Sequence, residues 1–404
     1  MTGRGRAIFA LGLAVYVVAW VFGSRALYPV ATGLVLAVAG AVAWVRLSPR
    51  APEVHRHGGG RDVVEGEDVR LDLVVQWTSK LPPPTLIAHE HLDRLGERTV
   101  ELHPVGRRRH AGGYELRALP RGRYGFETVR LSIEDPFGLA RSELEVEEPQ
   151  ALVVYPRLVE LDRLFSEGGS RLNDGRRLLL RRPSGFELHS VRDHQQGESL
   201  RRVHWPSTAR RGHLMVKELE DAPRDEVAVL LDGDAASVAG EAPDSTFDVA
   251  VRAAGSILRS HVQRGRRCVL IVNSAARETQ PIASEGGDWR RALELLAGCE
   301  PTGRTPAFAL LEASGGAAAR SLELVVVTSR IDAPLVDRLV QRALSRRGVS
   351  LVHVEPASFA GAEPRPEPLL LRLQAAGVPV AVVRRGDDLA AALGGSPATE
   401  AARA

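Results

Sequence analysis

The chain has 404 residues, of which 44% are hydrophobic and 25% are charged, and its formal net charge is +3. This length exceeds one ordinary core and predicts two or three domains. The small net charge excludes a polycation built to bind nucleic acid. Cys268 and Cys299 are the only cysteines, which excludes a disulfide framework or a zinc cluster of cysteines, and their apolar surroundings predict buried free thiols.

Two uncharged apolar runs, residues 7–22 and 26–45, predict a transmembrane helical hairpin within residues 1–50. A membrane-spanning helix needs about 20 mostly apolar residues. The second run meets that length, whereas a signal peptide is the alternative for the first. We find no convincing small-x-small cleavage site before the second run, so a hairpin explains both runs together.

The arginines around the hairpin predict its orientation. Arg4 and Arg6 precede the first run, Arg25 lies in the turn, and four arginines follow the second run: Arg46, Arg50, Arg56 and Arg61. Because positive charge is retained on the cytoplasmic side, both ends of the hairpin are expected there. The rest of the chain is then a cytoplasmic body tethered to the inner membrane.

Residues 51–156 have the pattern of a small β domain. The composition of residues 51–60, with glycines at 58, 59 and 60, predicts a linker. Val69, Leu71, Leu73 and Val75 then alternate with other residues at the period of a strand. Short strands separated by turn signals, with no helical run between them, predict an immunoglobulin-like β-sandwich. Its expected role is that of a spacer or docking domain.

Residues 221–395 alternate between buried strands and amphipathic helices, which predicts a parallel sheet covered on both faces. The expected strands are at 227–231, 268–272, 322–327, 349–354 and 378–383. The expected helices are at 245–264, 288–296, 334–344, 368–376 and 388–393. The first helix is capped by Asp244 or Ser245. Ligands of such sheets bind at the carboxyl ends of the strands.

The first of these strands ends in Asp232-Gly233-Asp234, which resembles the metal-ion-dependent adhesion site of von Willebrand factor A domains. That resemblance implies a Mg²⁺ ion, with Asp232, Asp234 and Thr305 as oxygen ligands. Ala236 and Ser329 stand where the pattern has a Ser and an Asp. A structural Asp232 without bound metal is therefore the alternative.

Other catalytic and binding motifs are missing from the sequence. It contains no Walker nucleotide loop and no Gly-x-Ser-x-Gly elbow, and we assign no catalytic residue. Four histidines lack the spacing of zinc ligands: His189, His194, His204 and His213. A basic run at residues 171–182 has no interleaved aromatic residues, so it predicts a solvated face or contact with anionic lipid rather than nucleic acid.

Residues 157–220 join the two soluble domains and contain the densest mixture of arginine, acid and aromatic residues. The residues assigned to this segment are Arg192, Gly197, Arg201, Arg202, Trp205 and Arg210. Arginines among carboxylates predict bidentate ion pairs, with the Trp205 ring expected to be buried beneath them. The network is either a clamp between the domains or a docking face for an acidic segment of a partner.

This segment resembles the signature of a bacterial family, domain of unknown function fifty-eight. The matching positions are Arg192, Gly197, Arg201, Val203, Trp205, Ala209, Arg210, Gly212 and Leu214. Asp135-Pro136-Phe137-Gly138-Leu139 and Val154-Tyr155-Pro156 are similar to the segment that precedes the signature. The resemblance implies a membrane anchor, an A-like C-terminal domain, and association with MoxR-type AAA+ ATPases and other membrane proteins of one pathway.

Two functional classes follow. The first is a membrane-anchored, non-enzymatic adaptor that works with such an ATPase in complex assembly or cell-envelope processes. The alternative is a divalent-metal-dependent receptor or enzyme that uses Asp232, Asp234 and Thr305. A location of the soluble body outside the cell is a third possibility, which a C-terminal reporter active only in the periplasm would establish.

Overall fold

A computed structural model describes residues 1–47, 52–58, 62–76, 85–106, 108–167, 188–193, 203–219, 226–312, 316–345, 347–363 and 366–394. The chain divides into two compact units, Met1–Tyr155 and Pro156–Ala404.

The first unit begins with two antiparallel helices, α1 (Gly3–Val21) and α2 (Leu27–Leu47). In the described part of the chain, these two are long and apolar enough to cross a membrane. Helix α1 starts at Gly3 rather than at residue 7, because Arg4 and Arg6 continue the helix ahead of the apolar run. Gly12 lets the helices approach closely, since a Cβ there would lie 3.1 Å from the Cβ of Leu34.

The strands after the hairpin form what we call the β body. They are β1 (Glu53–Gly58), β2 (Val63–Val64), β3 (Val69–Gln76), β4 (Thr85–Leu92), β5 (Gly96–Pro104), β6 (Arg109–Leu116), β7 (Gly122–Glu134) and β8 (Arg141–Tyr155). They make one eight-stranded sheet in the order β1-β3-β6-β5-β4-β7-β8-β2. All neighbouring strands are antiparallel except β2 and β8, whose short pairing is parallel.

The β body encloses its core by bringing distant strands of this sheet face to face. Leu73 and Val75 of β3 are buried in one cluster with Leu86 of β4 and Leu131 of β7, although two strands separate β3 from β4 in the sheet. The alternation predicted for β3 is present, because its odd-numbered residues 69–75 are all buried. A largely β body is thus confirmed, while its immunoglobulin-like type stays a prediction.

The turn between β7 and β8 is attached to the hairpin. The Thr2 hydroxyl donates to the carbonyl of Gly138 at 2.6 Å, and its backbone N–H donates to that of Leu139 at 3.0 Å. Leu139 and Ala140 are buried in one apolar cluster with Val45 of α2. Within the first unit, the N-terminal end of α1 is therefore tied directly to the β body.

The second unit contains a six-stranded sheet with helices. Its strands are β11 (Glu226–Asp232), β12 (Arg267–Asn273), β13 (Glu278–Ile282), β14 (Glu323–Thr328), β15 (Gly348–Val354) and β16 (Val380–Val383). Its helices, numbered after the α3 described below, are α4 (Thr246–Gln263), α5 (Gly287–Gly298), α6 (Ala307–Glu312), α7 (Ala317–Arg320), α8 (Ala333–Leu344), α9 (Pro356–Phe359), α10 (Pro368–Ala375) and α11 (Leu389–Leu393).

The five predicted strands are parallel to one another, but the sheet is mixed, because it has a sixth, antiparallel strand that was not predicted. Its order is β13-β12-β11-β14-β15-β16, and β13 runs antiparallel to β12 at the edge. The short connection between them allows a hairpin but no parallel crossover. β13 was missed because its sequence is polar and contains Pro281, which an edge strand tolerates.

The two faces of the sheet carry separate cores, as a sheet covered on both sides requires. Val229 and Val327 pack with Ile257 of α4, whereas Leu230 and Val326 pack with Leu339 of α8. Ser245 caps α4 through a reciprocal capping box with Asp248, which decides between the two predicted caps. Cys268 and Cys299 are buried thiols that form no disulfide with each other, as predicted, and burial raises the pKa of the Cys268 thiol to about 12.

Candidate functional site

The carboxyl ends of β11, β12 and β14 bring a group of polar side chains together. Asp232 ends β11 and is buried. Its Oδ1 accepts a hydrogen bond from Asn273 Nδ2 at 2.7 Å, and its Oδ2 accepts one from the Thr328 hydroxyl at 2.7 Å. Burial raises the pKa of Asp232, although both hydrogen bonds oppose that shift. Each carboxylate oxygen is thus engaged by a neighbouring strand.

Asp234 lies two residues after Asp232 and forms an ion pair with the Arg330 guanidinium. Its Oδ2 is 3.2 Å from Nη1 of Arg330, and its Oδ1 accepts from the backbone N–H of Ala236 at 3.0 Å. A parallel bridge joins Asp234 to Gly303. Gly233 and Gly303 are required for this approach, because a Cβ on either would lie within 2.6 Å of the Asn273 carbonyl oxygen.

Thr305 is linked to Asp232 through the side chain of Asn273, which donates hydrogen bonds to both residues. Asn273 Nδ2 donates to the Thr305 carbonyl at 2.8 Å, and Arg277 Nη2 donates to the Thr305 hydroxyl at 2.6 Å. The structure therefore gathers all three predicted metal ligands at one edge. It gives each of them protein partners of its own.

Each of the three predicted metal ligands has a protein partner in this structure. Mg²⁺ requires oxygen atoms that converge on one point. Both oxygens of Asp232 already accept from protein donors, Asp234 is paired with Arg330, and the Thr305 hydroxyl accepts from Arg277. The described residues also hold no group of three or more His, Cys, Asp or Glu side chains placed to hold a metal. The metal site stays a prediction, and we derive no chemistry from it.

The sequence did not identify the two residues that donate hydrogen bonds to the Asp232 carboxylate. Asn273 and Thr328 each end a buried strand next to β11, in β12 and β14. Because neighbouring parallel strands end at the same edge, that position was the available signal. Ser329 was identified as a departure from the adhesion-site pattern, and its hydroxyl instead donates to the Ser237 carbonyl at 2.9 Å.

The signature segment is a second candidate site. β9 (Leu188–Asp193) pairs with β10 (Met215–Leu219) in an antiparallel ladder, in which Arg192 lies opposite Val216. Between them lies the short helix α3 (Trp205–Arg211). Of the other predicted site residues, Gly197, Arg201 and Arg202 lie outside the described residues, as does the basic run at 171–182. The proposed ion-pair network therefore stays a prediction.

Helix α3 is anchored on β10 by several polar contacts. The His204 backbone N–H donates to the Met215 carbonyl at 2.7 Å, and the Met215 N–H donates to the Thr208 hydroxyl at 3.0 Å. His204 Nδ1 lies 2.7 Å from the Ser207 hydroxyl. Gly212 ends the helix at φ 75°, a conformation that glycine adopts without strain. Val203 and Met215 are buried beneath this unit.

The expectation that Trp205 is a buried anchor is wrong. The Trp205 side chain is 64% exposed, and Leu214 is 38% exposed. Arg210 and Arg211 in the last turn of α3 are also exposed. Pro206 places Trp205 at the start of the helix, and the buried residues here are the smaller Val203 and Met215. We call the exposed residues Trp205, Arg210, Arg211 and Leu214, which lie at the two ends of α3 and in the turn after it, the tryptophan face.

Comparisons with known proteins identify a family over part of the chain. Residues 190–357 match the family described as protein of unknown function DUF58. This range begins at the signature segment and extends through β15. The chain is also 25% identical to the uncharacterized protein YeaD of Bacillus subtilis over 306 residues, which covers 73% of this chain and 74% of the relative.

Solved structures give only distant likenesses. The C-terminal domain of wzt aligns at 10% identity with a TM-score of 0.21, covering 28% of this chain and 77% of that domain. A CARDB domain from Pyrococcus furiosus aligns at 14% identity with a TM-score of 0.18, covering 26% of this chain and 96% of that domain. At TM-scores this low, neither likeness bears on fold or function.

Proposed function

Because residues 190–357 form a DUF58 domain, we propose that the chain is a membrane-anchored, non-enzymatic adaptor whose C-terminal unit presents a protein-binding face. The observation that carries this proposal is the exposure of Trp205, Arg210 and Arg211 on one short helix that is anchored on β10. Aromatic and arginine side chains dominate the energies of protein interfaces. A tryptophan that is 64% exposed has most of its apolar area available for a partner.

The charge of the tryptophan face indicates the kind of partner. Arg210 and Arg211 would attract a segment rich in Asp or Glu, while the indole ring and Leu214 would pack against its apolar residues. Arginine suits this role, because its planar guanidinium makes bidentate hydrogen bonds with carboxylates. The partner we propose is a MoxR-type AAA+ ATPase, together with other membrane proteins of the same pathway.

The carboxyl edge of the sheet supports the adaptor over the metal-dependent alternative. Its acidic and hydroxyl groups bond to one another and to Arg330 and Arg277. Such an arrangement stabilises the edge as a scaffold. We include in the proposal a von Willebrand factor A-like type for the mixed sheet and an immunoglobulin-like type for the β body.

The proposed setting is the bacterial inner membrane. α1 and α2 would span the bilayer, and the arginine bias around them would place both soluble parts in the cytoplasm. An AAA+ ATPase needs that location, because its nucleotide is in the cytoplasm.

Affinity capture tests the proposal. The full-length chain is purified from membranes in mild detergent, with and without a non-hydrolysable ATP analogue, and co-purifying proteins are identified by mass spectrometry. We expect an AAA+ ATPase to be enriched with the analogue. Trp205→Ala should lower its recovery at least tenfold, because a central aromatic contact contributes about 2 kcal/mol or more.

The matched control is Leu344→Ala, which removes another largely exposed apolar side chain from the same unit. It should leave capture unchanged. Absence of an ATPase under both conditions would overturn the proposal. If Trp205→Ala instead lowered the melting temperature while capture persisted, the signature would act as a clamp between domains rather than as a docking face.

A further inference from the structure

Two large apolar side chains are exposed on the described part of the β body, and they lie at the same end of it. Phe137 is 77% exposed and Val105 is 68% exposed. Phe137 lies in the β7–β8 turn, and Val105 follows the last residue of β5.

The strand register shows which end this is. Glu134, just before the turn, pairs with Thr85 of β4, and the next residue of β4 pairs with Leu102 of β5. Pro104 of β5 pairs with His110 of β6. The same end holds Glu53, through which the chain enters the β body after α2, because Glu53 pairs with Gln76 and Gln76 with Arg109. Phe137 and Val105 are thus on the hairpin side.

The β7–β8 turn reaches into the length of the hairpin itself. Gly5 of α1 leaves room for it, because a Cβ there would lie 2.1 Å from the Leu139 carbonyl oxygen. Leu139 also shares a buried cluster with Ala41 and Val45 of α2. At about 1.5 Å per residue, these two lie roughly 3 to 9 Å before the end of α2 at Leu47. If the hairpin spans the bilayer, this part of α2, and the β7–β8 turn packed against it, lies at the boundary between headgroups and acyl chains.

The turn is rigid enough to hold Phe137 at this depth. Both oxygens of the buried Asp135 carboxylate accept backbone hydrogen bonds, from Phe137 at 3.0 Å and from Ala140 at 2.6 Å. The Pro136 ring restricts the backbone further. Exposure of the Phe137 ring is therefore a property of the folded turn.

The charge next to Val105 fits an anionic surface. Arg108 lies in the β5–β6 connection after Val105, Arg109 is the first residue of β6, and both are exposed. A basic residue near a bilayer of anionic lipid contributes about 1 kcal/mol to membrane attraction. An apolar side chain beside arginines is the composition typical of a segment that lies in the headgroup layer.

We propose that Val105, Arg108, Arg109 and Phe137, which we call the β rim, form a surface that binds the headgroup layer of an anionic bilayer beside the hairpin. This inference rests on the proposed membrane anchor and assigns it a third point of lipid contact. The rim limits tilting of the β body, because the hairpin, the β7–β8 turn and the β5–β6 connection then meet the bilayer at separate places.

Site-directed spin labelling tests the β rim in the full-length chain. Cys268 and Cys299 are replaced by alanine, and a single label is placed at Phe137→Cys or Val105→Cys in nanodiscs of phosphatidylglycerol and phosphatidylcholine. Power saturation compares collisions with oxygen, which concentrates in lipid, and with a nickel chelate, which stays in water. Both labels should show a raised ratio of oxygen to nickel collisions.

Two control labels separate the proposals. Leu36→Cys lies within α2 and is 68% exposed, so it reports whether the hairpin is in lipid. Arg117→Cys lies beyond the far end of β6, about 26 Å from Arg109 at about 3.3 Å per residue, and should give a water-like ratio. Rim labels that match Arg117 while Leu36 reads as lipid would overturn the β rim alone. A water-like Leu36 would overturn the anchor as well.

Reversing the charge of Arg108 and Arg109 tests whether these arginines give the β rim its preference for anionic lipid. Arg108→Glu combined with Arg109→Glu should shift the Phe137 label toward water in phosphatidylglycerol, and much less in pure phosphatidylcholine. An equal response in the two lipids would remove the anionic preference from the proposal. Arg117→Glu is the matched reversal at the far end and should leave the Phe137 label unchanged.

Discussion

The Arg56 guanidinium and the Glu90 carboxylate form a fully buried ion pair inside the β body, with Nη2 and Nε 2.5 and 3.0 Å from Oε1. The second Glu90 oxygen accepts from the Tyr114 hydroxyl at 2.7 Å, and Arg56 Nη1 donates to the Gln150 amide oxygen at 3.0 Å. The guanidinium carbon lies 4.3 Å from the centroid of the Phe126 ring. Both charges are therefore neutralised and hydrogen-bonded away from water.

Removal of Arg56 alone should strongly destabilise the β body. Arg56→Met leaves the Glu90 carboxylate buried without its cation, which costs about 3 to 5 kcal/mol. We expect hydrogen-exchange protection of β1 and β4 to fall in the full-length chain in nanodiscs, by a factor of about 100 or more where exchange follows global unfolding. Protection of β11 and β14, in the other unit, is the internal control.

The double variant Arg56→Met with Glu90→Leu separates charge burial from packing. It removes both charges together, so much of the lost protection should return. Equal losses in the single and double variants would mean that the pair acts through its shape, rather than through mutual neutralisation.

A side chain at Gly5 should break the attachment of the β7–β8 turn to the hairpin. The new Cβ of Gly5→Ala would lie 2.1 Å from the backbone oxygen of Leu139, which cannot move aside as a flexible side chain would. We expect the melting temperature of the full-length chain in nanodiscs to fall and exchange at residues 135–140 to rise. Gly33→Ala in α2 is the matched control, because its Cβ meets nothing within 4 Å.

Truncation of Asp232 tests whether it is a structural residue. Asp232→Ala leaves the Asn273 amide and the Thr328 hydroxyl without their buried acceptor, which costs about 1 to 3 kcal/mol for each group that stays unsatisfied. The midpoint of urea unfolding of the second unit should fall accordingly. Asp234→Ala should cost less, because its partner Arg330 is exposed to solvent.

The native chain and the Asp232→Ala variant together test the metal-dependent alternative. A bound ion stabilises the folded state by about 2.7 kcal/mol when its concentration is 100 times Kd. Our assignment expects no rise in melting temperature when Mg²⁺ is added to the native chain. A Mg²⁺-dependent rise that disappears in Asp232→Ala would restore the adhesion-site hypothesis.

His353 should make the second unit sensitive to acid. Burial lowers its pKa from 6.5 to about 4, so protonation favours the unfolded chain as the pH falls below about 6.5. The stability held above pH 6.5 is lost progressively toward pH 4, and the loss at pH 5 is about 2 kcal/mol. His353→Gln, which stays neutral, should flatten the pH dependence of unfolding by that amount.

The exposed His213→Gln is the control for this measurement. It makes the same exchange of histidine for glutamine at an exposed position of the second unit, and so measures the effect of the exchange itself. If both variants had the native pH dependence, the acid sensitivity of the unit would come from groups other than His353.

The sequence was most informative where residues share a repeating environment. Strand β3 and helix α4 were predicted because their apolar residues recur at the periods of a strand and a helix. β13 lacks such a pattern, because an edge strand needs apolar residues only where it meets the core. Its Pro281 and polar neighbours gave no strand signal.

Individual side chains were harder to predict than elements. Arg56 was counted among the arginines that orient the hairpin, yet it is buried against Glu90, a residue 34 positions away. Its role depends on a partner that only the folded sheet brings near. Trp205 was expected inside because of its size, but the short helix that carries it turns the ring outward. Asp232 was found because its position follows directly from the end of a buried strand.

The bond between Thr2 and Gly138 joins residues 136 positions apart, which sets an order of events during synthesis. The partner of Thr2 does not exist until the ribosome has added residue 138, about 7 to 27 seconds after Thr2 itself, at roughly 5 to 20 residues per second. The hairpin can enter the bilayer before the β body can fold. The attachment of its first helix to the β body therefore forms later, when that body closes onto a helix pair already in place.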